Sequence, residues 1–170
     1  MGHDFKDLFG DWEPGEEPRP EAVGETENRK PHALNEKEAK VAGVFVRPTP
    51  GIGPDQTFVM LEDNHGRKVP IFIGRFEASF ILQAMDGDTV DRPQTYDLTM
   101  LIVEKLGATI ERAVIDDIWQ STFYAKLTLT RDGVSSDIDC RPSDAINLAL
   151  RARAPIYVAE AVIEASQDEV

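Results

Sequence analysis

The stretch Asp139-Cys140-Arg141-Pro142-Ser143-Asp144-Ala145 stands where a predicted strand ends and an apolar helical pattern begins. Its parts nearly recur upstream as Asp91-Arg92-Pro93-Gln94-Thr95-Tyr96-Asp97, again in front of an apolar helical pattern. Proline is favoured in the first turn of a helix, and serine, threonine and aspartate can cap the free amides there. Each stretch therefore predicts a helix start, and the near-repeat suggests that one structural unit occurs twice.

Two interpretations of these helix starts remain open. In the first, the starts serve phosphodiester chemistry, because their amides attract anions and Arg92 or Arg141 can clamp a phosphate through two hydrogen bonds. The neighbouring carboxylates could also hold a divalent cation, since Mg²⁺ sites combine one or two carboxylates with water and substrate phosphate. In the second, both stretches are well-capped helices stabilised by Arg–Asp pairs.

The elements around the first stretch follow from the spacing of apolar residues. Strands are predicted over residues 40–46, 57–61 and 68–73, with a hairpin turn over 63–66, and a helix over 75–86. The helix after the first Arg-Pro pair is predicted to turn one apolar stripe toward the core and to end at Gly107. That stripe consists of Leu98, Leu101, Ile102 and Leu106.

The order of elements then repeats. Strands are predicted over residues 108–118, 122–130 and 134–139, a helix over 142–151, a short strand over 154–158, and a helical segment from about residue 159. Equivalent positions also match, since Thr57-Phe58 corresponds to Thr122-Phe123 and Glu77-Ala78 to Asp144-Ala145. We therefore predict an α+β fold built from a duplicated β(3)-α unit, with helices packed on a mixed or antiparallel sheet.

Composition divides the chain into two parts. The first 37 residues are acidic, contain several prolines and few apolar residues, and are predicted to be a disordered tail whose removal leaves folding intact. Residues 38–170 are predicted to form one domain. The formal net charge of the whole chain is −13, which argues against a protein that coats DNA through lysine and arginine alone.

The cellular location is predicted from what the sequence contains. Cys140 is the single cysteine, so an intrachain disulfide is excluded and a reducing compartment is favoured. No apolar run reaches the length of a membrane span, and residues 1–10 lack the pattern of a signal peptide. We expect a soluble cytoplasmic protein.

Several runs, taken together and in this order, resemble the bifunctional nuclease domain. They are Val69-Pro70-Ile71-Phe72-Ile73-Gly74 with Glu77-Ala78, then Arg92-Pro93-Gln94-Thr95-Tyr96-Asp97-Leu98, Thr122-Phe123-Tyr124-Ala125, the stretch 139–145, and Ala154-Pro155-Ile156-Tyr157-Val158. The resemblance covers roughly residues 38–165. It implies a duplicated β(3)-α unit, a homodimer, and a nuclease that acts on both DNA and RNA.

One position departs from the pattern of that family. The expected motif is Arg-Pro-x-Thr-His-Asp-Leu, and Tyr96 stands where the histidine belongs. An unperturbed tyrosine titrates near pH 10, so Tyr96 is a poor general base at neutral pH. Either the histidine was structural, another group serves, or activity is reduced.

The candidate site combines carboxylates and arginines from both halves. Glu77, Asp97 and Asp144 are the predicted ligands of Mg²⁺ or Mn²⁺, which would polarise a phosphoryl oxygen and activate water. The predicted catalytic residues are Arg92, Asp97, Asp139, Arg141 and Asp144, and the predicted substrate-binding residues are Arg92, Thr95, Arg141 and Ser143. The alternative is that these carboxylates stabilise helix amides and pair with the arginines.

The partners and the function also have alternatives at this point. Trp119, Phe123 and Tyr124 near one predicted hairpin are expected to cover a dimer interface, although they could instead stack on unpaired bases. The leading function is a metal-assisted nuclease for DNA and RNA. The competing function is a non-enzymatic regulatory or scaffolding module that retains the nuclease-family fold.

Overall fold

The computed structural model describes residues 35–51, 53–87 and 91–167. The strands in these ranges are β1 (Glu36–Arg47), β2 (Gln56–Asp63), β3 (Lys68–Ile73), β4 (Thr109–Trp119), β5 (Thr122–Arg131), β6 (Val134–Cys140) and β7 (Ile156–Ala159). The helices in these ranges are α1 (Arg75–Asp86), α2 (Thr95–Lys105), α3 (Pro142–Ala152) and α4 (Glu160–Gln167). Within the described part of the chain, no helix has the length and apolar character needed to cross a membrane.

The seven strands form one sheet in the order β3-β2-β1-β7-β4-β5-β6. Neighbouring strands are antiparallel except β4 and β7, which are parallel. The first three strands thus form one meander and β4, β5 and β6 form another, with β7 between them. The edge strands are β3 and β6, and helices α1 and α3 begin directly after them.

The helices cover one face of the sheet. Along β2, Thr57, Val59 and Leu61 are buried while the residues between them are only partly buried. This alternation is expected of an antiparallel sheet with one face on the core. The largest fully buried side chains come from both meanders and from three helices, and they include Leu61, Ile71, Ile81, Ile115, Ile146 and Ile163.

These elements confirm the predicted α+β class with helices packed on a mixed sheet. Strand β3 and helix α1 have the predicted bounds, and most other elements begin or end within two residues of the prediction. The largest difference is at β1, which starts earlier because Glu36–Ala39 pair with β7, a partner far along the chain. Two three-stranded meanders, each followed by a helix, fit a duplicated unit, and the duplication itself stays a prediction.

The predicted boundary between tail and domain falls inside β1. Residues 1–34 of the predicted tail lie outside the described residues. Glu36 and Lys37, however, pair with Ala159 and Val158 of β7. In addition, Nη1 of Arg112 donates a hydrogen bond to Oε2 of Glu36 over 2.6 Å. The folded domain therefore includes residues 36 and 37.

Helix α2 is rotated relative to the prediction, which was wrong about its core face. The predicted core residues are between 42% and 59% exposed, namely Leu98, Leu101, Ile102 and Leu106. The core side is instead formed by Tyr96, which is buried, with Met100 and Val103 packed against the core. The helix therefore has two apolar stripes. The buried stripe includes Tyr96, whose hydroxyl donates a hydrogen bond to Asp144.

We expect a chain that starts at residue 35 to be more stable than one that starts at residue 40. The shorter chain loses the part of β1 that pairs with β7 and the ion pair of Glu36 with Arg112. Its melting temperature, followed by circular dichroism, should fall by roughly 4 °C or more, since each kcal/mol lost shifts it by about 2–8 °C in small domains. Equal melting temperatures would contradict a stabilising role for this pairing.

Candidate active site

The second Arg-Pro stretch is the centre of a polar cluster at the start of α3. Arg141 directly precedes the helix, and Pro142 is its first residue. The guanidinium of Arg141 donates to both carboxylate oxygens of Asp144, from Nε to Oδ2 over 2.8 Å and from Nη2 to Oδ1 over 3.0 Å. Such a two-point pair fixes both side chains and is stronger than a single neutral hydrogen bond.

Glu77 brings helix α1 to the same cluster. Nη1 of Arg141 donates a hydrogen bond to Oε1 of Glu77 over 3.2 Å. Glu77 lies in the first turn of α1, and its carboxylate bends back over Gly74, the residue before the helix. A Cβ atom at position 74 would lie 2.2 Å from Oε2 of Glu77. Gly74 therefore provides the space that lets Glu77 reach Arg141.

Tyr96 adds helix α2 to the cluster. Its hydroxyl donates a hydrogen bond to Oδ1 of Asp144 over 2.7 Å. The ring is buried and packs edge-on against Phe80, with 5.3 Å between the ring centroids. We call Glu77, Tyr96, Arg141 and Asp144 the Arg141 cluster; it joins the first turns of three helices.

The environment fixes the protonation states of this cluster. Burial opposes ionisation of Asp144, but hydrogen bonds from Arg141 and Tyr96 outweigh it, and the pKa of the carboxyl falls below its ordinary value. Burial and the hydrogen bond to Asp144 raise the pKa of the Tyr96 phenol. At neutral pH, Asp144 is therefore ionised and Tyr96 is a hydrogen-bond donor, which places Tyr96 still further from a role as general base.

A second ion pair lies at the start of α2. Oδ2 of Asp97 accepts the backbone N–H of Gln94 over 3.0 Å, as in a capping box. Oδ1 of Asp97 accepts a hydrogen bond from Nε of Arg151 over 3.0 Å. The backbone hydrogen bond from Gln94, and then that from Arg151, hold the pKa of Asp97 below its usual range against the effect of burial. Asp97 is thus engaged away from the Arg141 cluster.

Arg151 and Asn147 connect the two ion pairs, and neither was singled out from the sequence. Nη1 of Arg151 donates to Oδ1 of Asn147 over 3.1 Å and to the Phe80 carbonyl over 3.4 Å, and its guanidinium lies 5.3 Å from the Tyr96 ring centroid. Asn147 is fully buried. The available signal is spacing, because Ser143, Asn147 and Arg151 recur every four residues along the otherwise apolar face of α3.

The structure brings only some of the predicted site residues together. Glu77, Arg141 and Asp144 meet in the cluster, and Ser143 is buried beside them as the second residue of α3. Arg92 and Thr95 are exposed at the entry to α2, and no hydrogen bond or ion pair between described residues joins them to the cluster. Asp139 is also exposed, while the neighbouring Cys140 packs against the core.

The predicted metal ligands are divided in the same way. Arg141 lies between Glu77 and Asp144, whereas Arg151 binds Asp97. Across residues 35–51, 53–87 and 91–167, no group of three histidine, cysteine, aspartate or glutamate side chains is arranged to hold a metal ion. A cation at this site would have Glu77 and Asp144 as its protein ligands, and Arg141 would have to move aside or pair with an anion on the substrate.

A cleft of about 290 Å³ opens beside the cluster. Its walls come from the end of β3, the start of β5 and the start of α3, and its lining includes Ile71, Phe72, Gly74, Phe123 and Ser143 together with Glu77 and Arg141. The Arg141 side chain is 65% exposed, so an anion in the cleft can reach its guanidinium. An exposed arginine at a helix start is suited to binding phosphate.

The fold and this cleft define an α+β protein. Its two edge strands, β3 and β6, are each followed by a helix, and the starts of these helices meet at a cleft that contains an exposed arginine. A family model for the bifunctional nuclease domain matches residues 59–170. The chain belongs to the bifunctional nuclease domain family.

Similar proteins include bacterial and plant sequences. A Mycobacterium tuberculosis protein described as uncharacterised is 35% identical over 74% of this chain and 73% of its own length. Two Arabidopsis thaliana proteins named bifunctional nuclease 2 and bifunctional nuclease 1 are 31% and 30% identical over 64% of this chain. The match spans only about a third of each plant protein, 34% and 35% of their lengths.

We expect Arg151→Met to destabilise the domain. It removes an arginine side chain that is only 10% exposed and leaves Asp97, which is 34% exposed, without its ion-pair partner. The buried Asn147 loses a hydrogen bond as well, so the free energy of unfolding should fall by about 2–4 kcal/mol in urea titrations. Because the folded pKa of Asp97 lies below its ordinary value of 3.8, the difference should persist above about pH 4 and shrink as the pH falls further.

The matched control is Arg131→Met, which removes an ion pair whose side chains are 62% and 85% exposed. Its effect should stay below roughly 0.5 kcal/mol. Equal effects of the two variants would contradict the structural role assigned to Arg151.

Proposed function

We propose that the protein is a nuclease that hydrolyses phosphodiester bonds of DNA and RNA at the Arg141 cluster. The observation that carries the proposal is the Arg141 guanidinium, held by Glu77 and Asp144 at the mouth of the cleft and 65% exposed. The names of the plant relatives supply the reaction class. Phosphoryl transfer depends mainly on positioning and on stabilising charge, which a fixed arginine can provide.

The protonation states suggest how the cluster works. A general base is most effective when its pKa lies near the working pH, and the pKa of Asp144 is shifted the other way. Asp144 is therefore better suited to holding a cation or orienting Arg141 than to removing a proton from water. Tyr96, as a protonated donor, positions Asp144 through their 2.7 Å hydrogen bond.

Mg²⁺ or Mn²⁺ remains the proposed cofactor, with Glu77 and Asp144 as protein ligands and Asp97 left out because it binds Arg151. Two carboxylates combined with water and substrate phosphate are sufficient for Mg²⁺. When bound, the ion would polarise a phosphoryl oxygen and supply activated water. In the same state Arg141, displaced from one carboxylate, would pair with the phosphate.

A non-enzymatic role is the second candidate, and one observation favours it. Each hydrogen-bonding nitrogen of the Arg141 guanidinium already binds a carboxylate within the chain, so the cluster is complete without a ligand. In that case the cluster fastens three helices to one another, and the net charge of −13 weakens any general attraction to nucleic acid. The protein would then be a regulatory or scaffolding module.

The decisive experiment is cleavage of labelled single- and double-stranded DNA and RNA by purified protein with Mg²⁺, Mn²⁺ or EDTA. We expect cleavage with a metal and none with EDTA. Arg141→Ala and Asp144→Asn should each lower the rate by about 10²–10³-fold, the usual effect of removing one transition-state contact. Their melting temperatures should stay close to that of the wild type, since an asparagine side chain at position 144 still accepts a hydrogen bond from Tyr96.

Matched controls are Arg131→Ala and Asp132→Asn, which alter an exposed ion pair in the turn between β5 and β6. Both should cut at the wild-type rate. If Asp144→Asn is stable and equally active, its catalytic role is wrong. If the cluster variants melt early and wild-type protein cuts nothing under any metal condition, the non-enzymatic role is favoured.

We also propose a homodimer, and we assign its interface to α2 rather than to the hairpin. Among the hairpin residues, Trp119 is 65% exposed while Phe123 and Tyr124 are half-buried. The outer stripe of α2 exposes four large apolar side chains, Leu98, Leu101, Ile102 and Leu106. A contiguous apolar helix face is typical of a surface that a second subunit covers.

Ile102→Glu should convert the dimer to a monomer, because it introduces a charge into the centre of the α2 stripe. Light scattering at micromolar concentration measures this, with the wild type at the dimer mass. Val134→Glu is the control, since Val134 is 71% exposed on a different part of the surface and should leave the dimer intact. If the wild-type protein has the mass of a monomer, the proposed homodimer is wrong.

The cytoplasm is the proposed location. Its support is the single cysteine, Cys140, which is partly buried and unpaired. Burial raises the pKa of the Cys140 thiol to about 12, so it remains a protonated, unreactive thiol that suits a reducing compartment.

A further inference from the structure

Three phenylalanines form a row on the face of the sheet that the helices leave uncovered. Phe45 of β1, Phe58 of β2 and Phe72 of β3 are register partners on adjacent strands. Their ring centroids are 5.6 Å and 5.5 Å apart. The outer two rings are each 46% exposed. We call these residues the phenylalanine row.

The surroundings hold this row in place. The Phe45 ring leans over Gly43, where a Cβ atom would lie 3.1 Å from the tip of the ring. At the other end, the Arg47 guanidinium lies 4.9 Å from the Phe72 ring centroid. Gln56 fixes Arg47 by accepting hydrogen bonds from its Nε and Nη2. Arg47 has no carboxylate partner in the described part of the chain, so its charge is available to an anionic ligand.

The row leads to the Arg141 cluster. Phe72 is two residues before Gly74 and lines the same 290 Å³ cleft as Glu77 and Arg141. A second depression, of about 460 Å³, runs from Gln56 past Phe72 to Arg75. Arg75 is exposed at the start of α1 and makes no ion pair with any described residue. Aromatic rings and two available arginines therefore border the route into the candidate site.

We propose that the phenylalanine row binds unpaired bases, so that the protein takes single-stranded nucleic acid and directs a backbone phosphate toward Arg141. The proposal rests on the proposed nuclease function and names its substrate class. Base stacking on aromatic rings is independent of sequence, and it supplies affinity that a chain of net charge −13 cannot draw from phosphate contacts alone. A duplex keeps its bases stacked inside and cannot use the row.

A second copy of the chain is a less suitable occupant of this surface. A twofold dimer with its axis along the row would bring Arg47 close to the same residue of the partner, and like charges oppose such contact. The outer stripe of α2 is larger and free of charge at its four apolar positions, so it is the better dimer surface. Nucleic acid, by contrast, provides both the rings and the negative charge that this surface matches.

The test measures binding apart from cleavage. Fluorescence anisotropy in EDTA would follow a fluorescein-labelled oligothymidylate of about 12 nucleotides and a duplex of the same length. Wild-type protein should bind the single strand more tightly than the duplex. Phe45→Leu and Phe72→Leu should each weaken single-strand binding about tenfold, because leucine keeps apolar volume but lacks the stacking face. Phe45→Tyr should retain binding.

The control is Ile138→Ala, on the opposite edge strand and 45% exposed, which should bind like the wild type. Three results would overturn the proposal: no single-strand binding by wild type, equal loss of single-strand and duplex binding, or a monomer mass for Phe72→Leu from a dimeric wild type. Single-strand binding through the row without cleavage would refute the nuclease function alone. If the protein cleaves single strands preferentially and Phe72→Leu has the same preference as the wild type, the stacking role alone is refuted.

Discussion

The pairing of Arg141 with Asp144 and Glu77 is the interaction that fixes the geometry of the candidate site. Each of the three helices contributes a side chain from its first turn. The Arg141 guanidinium binds the carboxylates of Glu77 and Asp144, whose negative charge is favourable at a helix start. Tyr96, from the third helix, donates a hydrogen bond to Asp144. Since α1 and α3 follow opposite edge strands, the same few hydrogen bonds also relate the two ends of the sheet.

The sequence predicted local structure well because strands and helix starts leave local patterns. The spacing of apolar residues located β2 and β5, and Arg-Pro stretches located the starts of α2 and α3. The orientation of α2 was not predictable in this way, because the helix has two apolar stripes and both have helical spacing. One is the buried stripe of Tyr96, Met100 and Val103, and the other is the exposed outer stripe. Which stripe is buried depends on partners from other helices, and these are set by tertiary packing.

The candidate site was predictable in part for the same reason. Arg141 and Asp144 are three residues apart on one helix start, so their pairing follows from helix geometry. The partner of Asp97 is Arg151, more than fifty positions away, and no local pattern chooses it over Arg92. The role of Gly74 was also not predictable from the sequence, because it depends on the Glu77 carboxylate that lies above this residue in the folded chain.

The position of β7 has a consequence for how the chain acquires its structure. This strand is near the end of the sequence, yet it lies at the centre of the sheet and provides the pairing that unites β1 with β4. Without β7, the inner edges of the two meanders, on β1 and β4, have no partner strand. Joining the meanders requires pairing between residues as far apart as Glu36 and Ala159, and pairing over such a distance along the chain is intrinsically slow and leaves strand edges open to mispairing meanwhile.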